Sequence, residues 1–261
     1  MLALTSMSSL HQPISHISEL PELTGQAVHY WFVPLTCVES SLESLQTLLS
    51  SDERERAGRY RFPIHCRRFI VRHAALRTIL AAYSGVPVYN LSFQVDHYGK
   101  PELDASFVDS PLYFNLSHSD ELAVIAVSRI GPLGVDIERI RPLSDLEAIA
   151  TQYFSPAEQA AILRLPAEQR LLAFYRCWTS KEAFIKALGM GLQFELNRFD
   201  VSVSPTDPPA LLCIDNNPRK ARLWYMTDVA CEEGYMGAFV STRRPEEVLY
   251  RRWVPPPLAS L

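Results

Sequence analysis

Two carboxylates stand one residue apart in the segment Gly134-Val-Asp-Ile-Glu138. On a strand, alternate residues share a face, so Asp136 and Glu138 point one way while Val135 and Ile137 enter a core. Two acids side by side repel one another unless a cation or a basic group neutralises them. Hard oxygen ligands at this spacing suit magnesium, which keeps several waters and takes substrate phosphate as a further ligand. The same pattern also describes an edge strand with two solvated acids.

A second segment, Cys177-Trp-Thr-Ser-Lys-Glu-Ala-Phe-Ile-Lys186, sets Trp178, Glu182 and Lys186 at four-residue steps along one helical stripe. A Glu and a Lys beside a large aromatic can act as base, phosphate-neutralising cation and packing wall. Equally, Glu182 followed by Lys186 is the favoured orientation of a simple helix ion pair, worth about 0.3–0.5 kcal/mol. A third segment, Phe114-Asn-Leu-Ser-His-Ser119, reads as a strand end running into a polar loop. Asn115, Ser117 and His118 can donate to a phosphate there, and the same residue types are common turn formers.

These residues need elements to hold them. Ala27–Phe32 alternates as a strand, and Glu39–Leu49 has helical spacing. Ser51-Asp-Glu53 opens a short, highly charged helix, since acids favour the positive end of the helix dipole. From Cys66 to Tyr83 a helix places Phe69, Leu76, Leu80 and Tyr83 on one face, and Gly85 closes it. Leu91–Val95 and Leu112–Asn115 are short strands with Gly99-Lys100-Pro101 as a turn between them, and Leu122–Ser128 is a buried strand. Ile130-Gly-Pro132 marks a boundary. After it come the Gly134–Glu138 strand, helices over 144–188, and strands near 199–203, 221–226 and 235–241. The longest helix covers about Ala167 to Leu188 and stops near Gly189 and Gly191. Each half then mixes a few helices with a small antiparallel sheet, an α+β arrangement. The expected halves are 1–130, with a variable tail of about 1–25, and 131–261; no residue-level repeat between them is visible.

Composition excludes several classes of function. The 261 residues are 48% hydrophobic and 21% charged, with a formal net charge of −4, so no global basic field draws the chain to nucleic acid or anionic membrane. The cysteines, at 37, 66, 177, 213 and 231, include no pair at zinc or redox spacing and read as buried thiols of a reducing compartment. The first twenty residues lack a basic start followed by an apolar run, and no apolar stretch reaches a membrane span. The expectation is a soluble, cytoplasmic protein.

Together the segments resemble the 4′-phosphopantetheinyl transferases of the larger, pseudo-dimeric type, similar to the surfactin-synthetase-activating enzyme. That family carries a (V/I)G(V/I)D(I/V)E strand and a W-x-x-K-E-(A/S)-(F/Y)-x-K helix, both present here in order. Asn115-Leu-Ser-His118, Gly99-Lys100-Pro101 and the Ser51–Arg56 helix start match as well, so the resemblance runs from about Leu49 to Val203. It implies an active site in the cleft between two similar α+β halves. Asp136, Glu138 and Glu182 would hold magnesium, Glu182 would be the general base, and Lys186 would stabilise the phosphoryl oxygens. Lys100 and His118 would contact the phosphates of coenzyme A, with Asn115 and Ser117 lining the nucleotide pocket. Arg56 would lie near the 3′-phosphate. Glu53 departs from some relatives, which often have lysine there, and Arg54, Arg67 or Arg68 would compensate. Glu158, in Phe154-Ser-Pro-Ala-Glu158, is given a positioning role outside the metal shell. The implied partners are coenzyme A and an acyl, peptidyl or polyketide carrier protein, met by a rim that includes Arg139 and Arg141; the implied state is a monomer. Two rival readings use the same residues: a magnesium-dependent hydrolase of a nucleotide diphosphate, and a non-catalytic module that binds coenzyme A or a carrier.

Overall fold

The computed structural model describes residues 20, 22–36, 39–104 and 111–255. The expected tail up to residue 19, Cys37 and residues 256–257 of the proline tail lie outside them. The chain divides into two compact units. One comprises the chain up to Gln94, Glu102–Arg129 and the chain from Glu246 onward; the other comprises Val95–Pro101 and Ile130–Pro245.

The first unit begins with strand β1 (Ala27–Pro34), then helices α1 (Glu39–Thr47), α2 (Ser51–Gly58) and α3 (Pro63–Ser84). Ser50 is the N-cap of α2: its hydroxyl accepts from the Glu53 amide while the Glu53 carboxylate accepts from the Ser50 amide, a capping box one residue earlier than the sequence suggests. Proline at the first position starts α3 three residues before Cys66, because its missing N–H has no helical partner there anyway. Gly85, at φ 71°, ends it in the left-handed conformation that glycine adopts without cost. A short hairpin, β2 (Phe93–Val95) and β3 (Pro101–Leu103), follows, its tip belonging to the second unit. Then β4 (Tyr113–Ser119) and β5 (Leu122–Ser128) pair antiparallel in register from Tyr113 with Ser128 to Ser119 with Leu122.

The second unit holds β6 (Leu133–Arg139), α4 (Leu146–Tyr153), α5 (Pro156–Arg164) and α6 (Ala167–Leu188), then β7 (Phe199–Val201), β8 (Leu211–Ile214), α7 (Pro218–Ala221), β9 (Tyr225–Asp228) and β10 (Tyr235–Ser241). Its principal sheet has the order β6-β10-β9. Gly189, at φ 74°, closes α6 as Gly85 closes α3. The last strand, β11 (Glu247–Arg252), corrects the expected 131–261 half. It lies in the first unit, parallel to β1, completing a sheet of order β11-β1-β5-β4. β1 is buried along nearly its whole length and needs a hydrogen-bonding neighbour on each edge. Glu247–Arg252 supplies the second neighbour despite a charged sequence with little alternation.

A repeat that the residues do not display is plain in the packing. In the first unit Glu53 of the α2 capping box pairs with Arg77 of α3 at 2.6 Å, and Arg77 donates to the carbonyls of Val88 and Leu91. In the second, Glu158 of the Ser155 capping box on α5 pairs with Lys181 of α6 at 2.8 Å, and Lys181 donates to the carbonyls of Leu196 and Phe199. Arg77 stands as far before Gly85 as Lys181 stands before Gly189. Each cation also lies over a phenylalanine ring, Phe93 and Phe199 respectively. The two halves are therefore similar in construction as well as in class. Among the described residues, no helix is long and apolar enough to cross a membrane.

Candidate active site

Gly134, Asp136 and Glu138 occupy one face of β6, the face on which α6 packs. A Cβ at Gly134 would stand 2.0 Å from the carbonyl oxygen of Ala183 and 2.4 Å from the amide of Ala187, so only glycine lets the last turns of α6 come this close. That approach carries Lys186 to Asp136: its ammonium meets Asp136 Oδ1 at 2.6 Å and the Val135 carbonyl at 3.4 Å. Asp136 is only 3% exposed, which removes the solvated-acid reading for it. Lys186 thus reaches off its own helix to the strand.

Glu182 lies one turn earlier on α6 and is half-buried. Burial first, then the charges of Asp136 and Glu138, raise its carboxyl above the usual carboxylate range, partly offset by Lys186. Glu182 therefore feels both carboxylates of β6. The three acids do not close on a common point: among the described residues, no group of three His, Cys, Asp or Glu is arranged to hold a metal ion.

Trp178, at the start of the stripe, packs its ring against Tyr153, Phe154 and Phe174, as expected of a residue that fixes the helix. With Glu138, Arg139, Arg141 and Tyr175 it also lines a recess of about 440 Å³ beside the carboxylate strand. The Tyr175 hydroxyl donates to the Arg141 carbonyl and accepts from its amide, pinning the chain just after β6.

Lys100, expected at a coenzyme A phosphate, lies at the tip of the hairpin between β2 and β3. Its ammonium donates to the carbonyls of Leu133 at 3.0 Å and Lys186 at 2.7 Å. A cation on the last turn of α6 complements the helix dipole and ties the hairpin tip to the start of β6.

In the first unit, the loop expected at 115–119 is strand. Leu116 to Ser119 pair with Leu122 to Ile125 of β5 through a turn at Asp120, which has φ 52°. Alternation therefore parts the three polar residues: Asn115 and Ser117 lie on one face, buried at 7% and 5%, while His118 lies on the other and is exposed. His118 Nε2 lies 3.0 Å from Arg72 Nη1. Arginine has no acceptor, so in this contact the ring nitrogen accepts. Arg56 is exposed on α2, with its guanidinium 5.6 Å from the centre of the Phe69 ring. Arg68 is tied to Asp120 at 2.9 Å. Glu53 has a structural task in the capping box and beside Arg77 and His73, which accounts for an acid at that position. Burial opposes its charge, but His73, the Ser50 amide and Arg77 more than offset that and hold it at about 2.

Comparison with known proteins matches this layout. Residues 132–240 match the 4′-phosphopantetheinyl transferase superfamily, and residues 36–130 match the 4′-phosphopantetheinyl transferase N-terminal family. The chain is 44% identical over 193 residues to the 4′-phosphopantetheinyl transferase HetI of Nostoc sp. (strain PCC 7120 / SAG 25.82 / UTEX 2576), which covers 73% of this chain and 81% of that protein. The chain belongs to the 4′-phosphopantetheinyl transferases. Two further relatives of this transferase are psf-1 of Bacillus pumilus, 33% identical over 78% of this chain and 83% of that protein, and Sfp of Bacillus subtilis (strain 168), 31% identical over 61% and 68%.

Two features of the transferase escape sequence reasoning. Arg72 looks like one more position of a mostly apolar helix, and its only signal is a charge within the run Phe69–Leu80. Lys181, beside the motif glutamate, has the composition of a phosphate ligand yet is wholly buried.

Proposed function

We propose that this transferase moves the 4′-phosphopantetheine arm of coenzyme A to a serine of an apo acyl, peptidyl or polyketide carrier protein, with magnesium, releasing adenosine 3′,5′-bisphosphate. The observation that carries this reading is the Lys186–Asp136 pair at 2.6 Å, with Glu182 within electrostatic reach, in the strand and helix that the superfamily match spans.

The donor set fits magnesium in kind, being three carboxylates, of which Asp136 and Glu138 raise the proton affinity of Glu182. Asp136, Glu138 and Glu182 are the residues that would hold it, and when bound it would offset charge on the diphosphate. Glu182 takes the proton of the carrier serine, a poor nucleophile until it is deprotonated. The serine oxygen bonds to the phosphorus that carries pantetheine, and the bond from that phosphorus to the bridging oxygen breaks. The electron pair leaves with adenosine 3′,5′-bisphosphate. Lys186, 26% exposed at its side chain, holds a positive charge beside the phosphoryl oxygens. His118 and Arg56 of the first unit contact coenzyme A phosphates. Arg139 and Arg141, at the recess beside Glu138, give an acidic carrier a basic surface to meet. Free thiols at Cys66, Cys177, Cys213 and Cys231 support a cytoplasmic setting, and the chain would act as a monomer.

The test is the intact mass of an apo acyl carrier protein incubated with this protein, coenzyme A and magnesium. A gain of one phosphopantetheine arm, lost on adding EDTA, is expected. Coenzyme A consumed with no carrier modified would turn the reading to hydrolysis. No gain across acyl, peptidyl and polyketide carriers, with coenzyme A still bound, would turn it to a binding module.

A further inference from the structure

The tip of the hairpin between β2 and β3 holds one cation in place. Asp96 Oδ1 accepts from the amides of Tyr98 at 2.9 Å and Lys100 at 2.8 Å, and the Asp96 amide donates to the Lys100 carbonyl at 2.9 Å. The carboxylate thus closes its own turn and fixes the main chain of Lys100. The tip lies against the end of α6. A Cβ at Gly189 would stand 3.0 Å from Asp96 Oδ2 and 3.7 Å from Lys100 Cδ, so the glycine that ends the helix also admits the tip. Across that contact the Lys100 ammonium meets the Lys186 carbonyl at 2.7 Å and the Leu133 carbonyl at 3.0 Å.

Those two carbonyls belong to the two elements that carry the site. Leu133 opens β6 and precedes Gly134, the residue that lets α6 approach. Lys186 lies in the last turn of α6, where carbonyls lack helical donors and form the negative end of the dipole. One ammonium therefore staples strand and helix where they come closest, with charge-assisted hydrogen bonds to both. From the same Lys186, the side chain reaches Asp136 Oδ1 at 2.6 Å. Where that ammonium sits follows from where its own main chain is held.

We propose that Lys100 is a positioning residue for the transfer: it fixes the Lys186 main chain, and through it the ammonium that faces the phosphoryl group. The proposal rests on the transferase reading above and deepens it. A direct contact of Lys100 with a coenzyme A phosphate is the competing role, and the two leave different kinetic marks. A phosphate contact binds the donor and sets KM, whereas a staple sets the geometry of the transition state and therefore kcat.

The experiment measures transfer to an apo acyl carrier protein with magnesium, and calorimetric binding of adenosine 3′,5′-bisphosphate. The proteins are the unaltered chain, Lys100→Met, Lys100→Arg, Lys186→Gln and the double variant Lys100→Met/Lys186→Gln. Lys100→Met should lower kcat about 10–100-fold, the effect of displacing a catalytic group by about 1 Å. KM for coenzyme A and the affinity for the bisphosphate should hardly move. Lys100→Arg, whose fork can donate to two carbonyls at once, should recover part of the loss. In the Lys186→Gln background Lys100→Met should cost little more, because the residue it acts through is already gone. Amide hydrogen exchange in the last turn of α6, where the Gly189 amide donates to the Ile185 carbonyl, should be faster in Lys100→Met. A raised KM and weakened bisphosphate binding with kcat intact would overturn the proposal in favour of a phosphate contact. Losses that simply add in the double variant would overturn it as well. Should Lys100→Met fail to fold, Lys100→Gln decides: a fall confined to kcat supports the staple, and an unchanged kcat overturns it. An unaltered chain that transfers nothing sinks the transferase reading, and the staple is then judged by exchange alone, where equal rates with and without Lys100 overturn it.

Discussion

Lys181 buries its ammonium 2.8 Å from the carboxylate of Glu158, with 0% and 2% of the two side chains exposed. Every part of the pair is satisfied. Lys181 also donates to the Leu196 and Phe199 carbonyls, and Glu158 also accepts from the Ser155 and Val201 amides. The contacts lock α6 to α5 and to the chain leading into β7. The residue after Lys181 is Glu182, so the anchor helps set the angle at which the Glu182–Lys186 stripe meets β6. Lys181→Met should therefore cost about 3–5 kcal/mol of unfolding free energy, the usual penalty for stranding half of a buried pair. Urea denaturation monitored by circular dichroism measures it, and a loss below about 1 kcal/mol would show that Glu158 is accommodated without its partner.

Glu182→Gln separates chemistry from folding. The side chain is half-buried and the amide is nearly isosteric, so stability should stay within about 1 kcal/mol of the unaltered chain. Transfer to the carrier should fall about 100- to 10,000-fold, the usual contribution of a positioned base. Carrier mass gain against time reads it directly; near-normal turnover would remove Glu182 from the mechanism.

Gly134→Ala tests the close approach of α6 to β6. Its methyl carbon would sit 2.0 Å from the Ala183 oxygen, a backbone atom that cannot swing away. The helix must shift, at about 1–3 kcal/mol or more, and the Lys186–Asp136 contact moves with it. Thermal denaturation and transfer rate should fall together. A stable variant with normal rate would mean that the strand and helix separate without consequence.

Acid should weaken the first unit in two overlapping windows. His29 is fully buried and is lowered to about 4, chiefly by burial and then by Arg251. Between about 6.5 and 4 the unfolded chain takes up a proton that the folded chain refuses, so stability falls as pH falls. By linkage the loss approaches about 3 kcal/mol. Glu53, held at about 2, adds a second loss as pH drops from about 4.5 toward 2. Denaturant titrations at pH 7.5, 6 and 4.5 should show declining stability, and His29→Gln should flatten the slope above pH 4.5. An unchanged slope in that variant would assign the acid loss to other groups.

How much of this was present in the residues differs by element. Helix α6 could be read to within its ends because apolar spacing, the C-terminal glycine and its length are local properties of the chain. The same holds for β5 and for the shared face of Asp136 and Glu138, since strand alternation needs no partner to be inferred. The family was legible for a related reason: the Gly134–Glu138 and Trp178–Lys186 motifs are contiguous in the chain, and the superfamily match spans both.

Partners were another matter, because they come from distant parts of the chain. Only the folded sheet shows that Lys186 meets Asp136, that Lys100 caps α6, and that β5 draws Ser117 and His118 into a strand which turns them to opposite faces. Only packing turns Glu53 and Glu158 into equivalent anchors of two long helices, a repeat hidden because one cation is arginine and the other lysine. Local sequence determines which groups a segment carries and which face they share. Burial, and the long-range contacts that offset its cost, determine which of those groups meet.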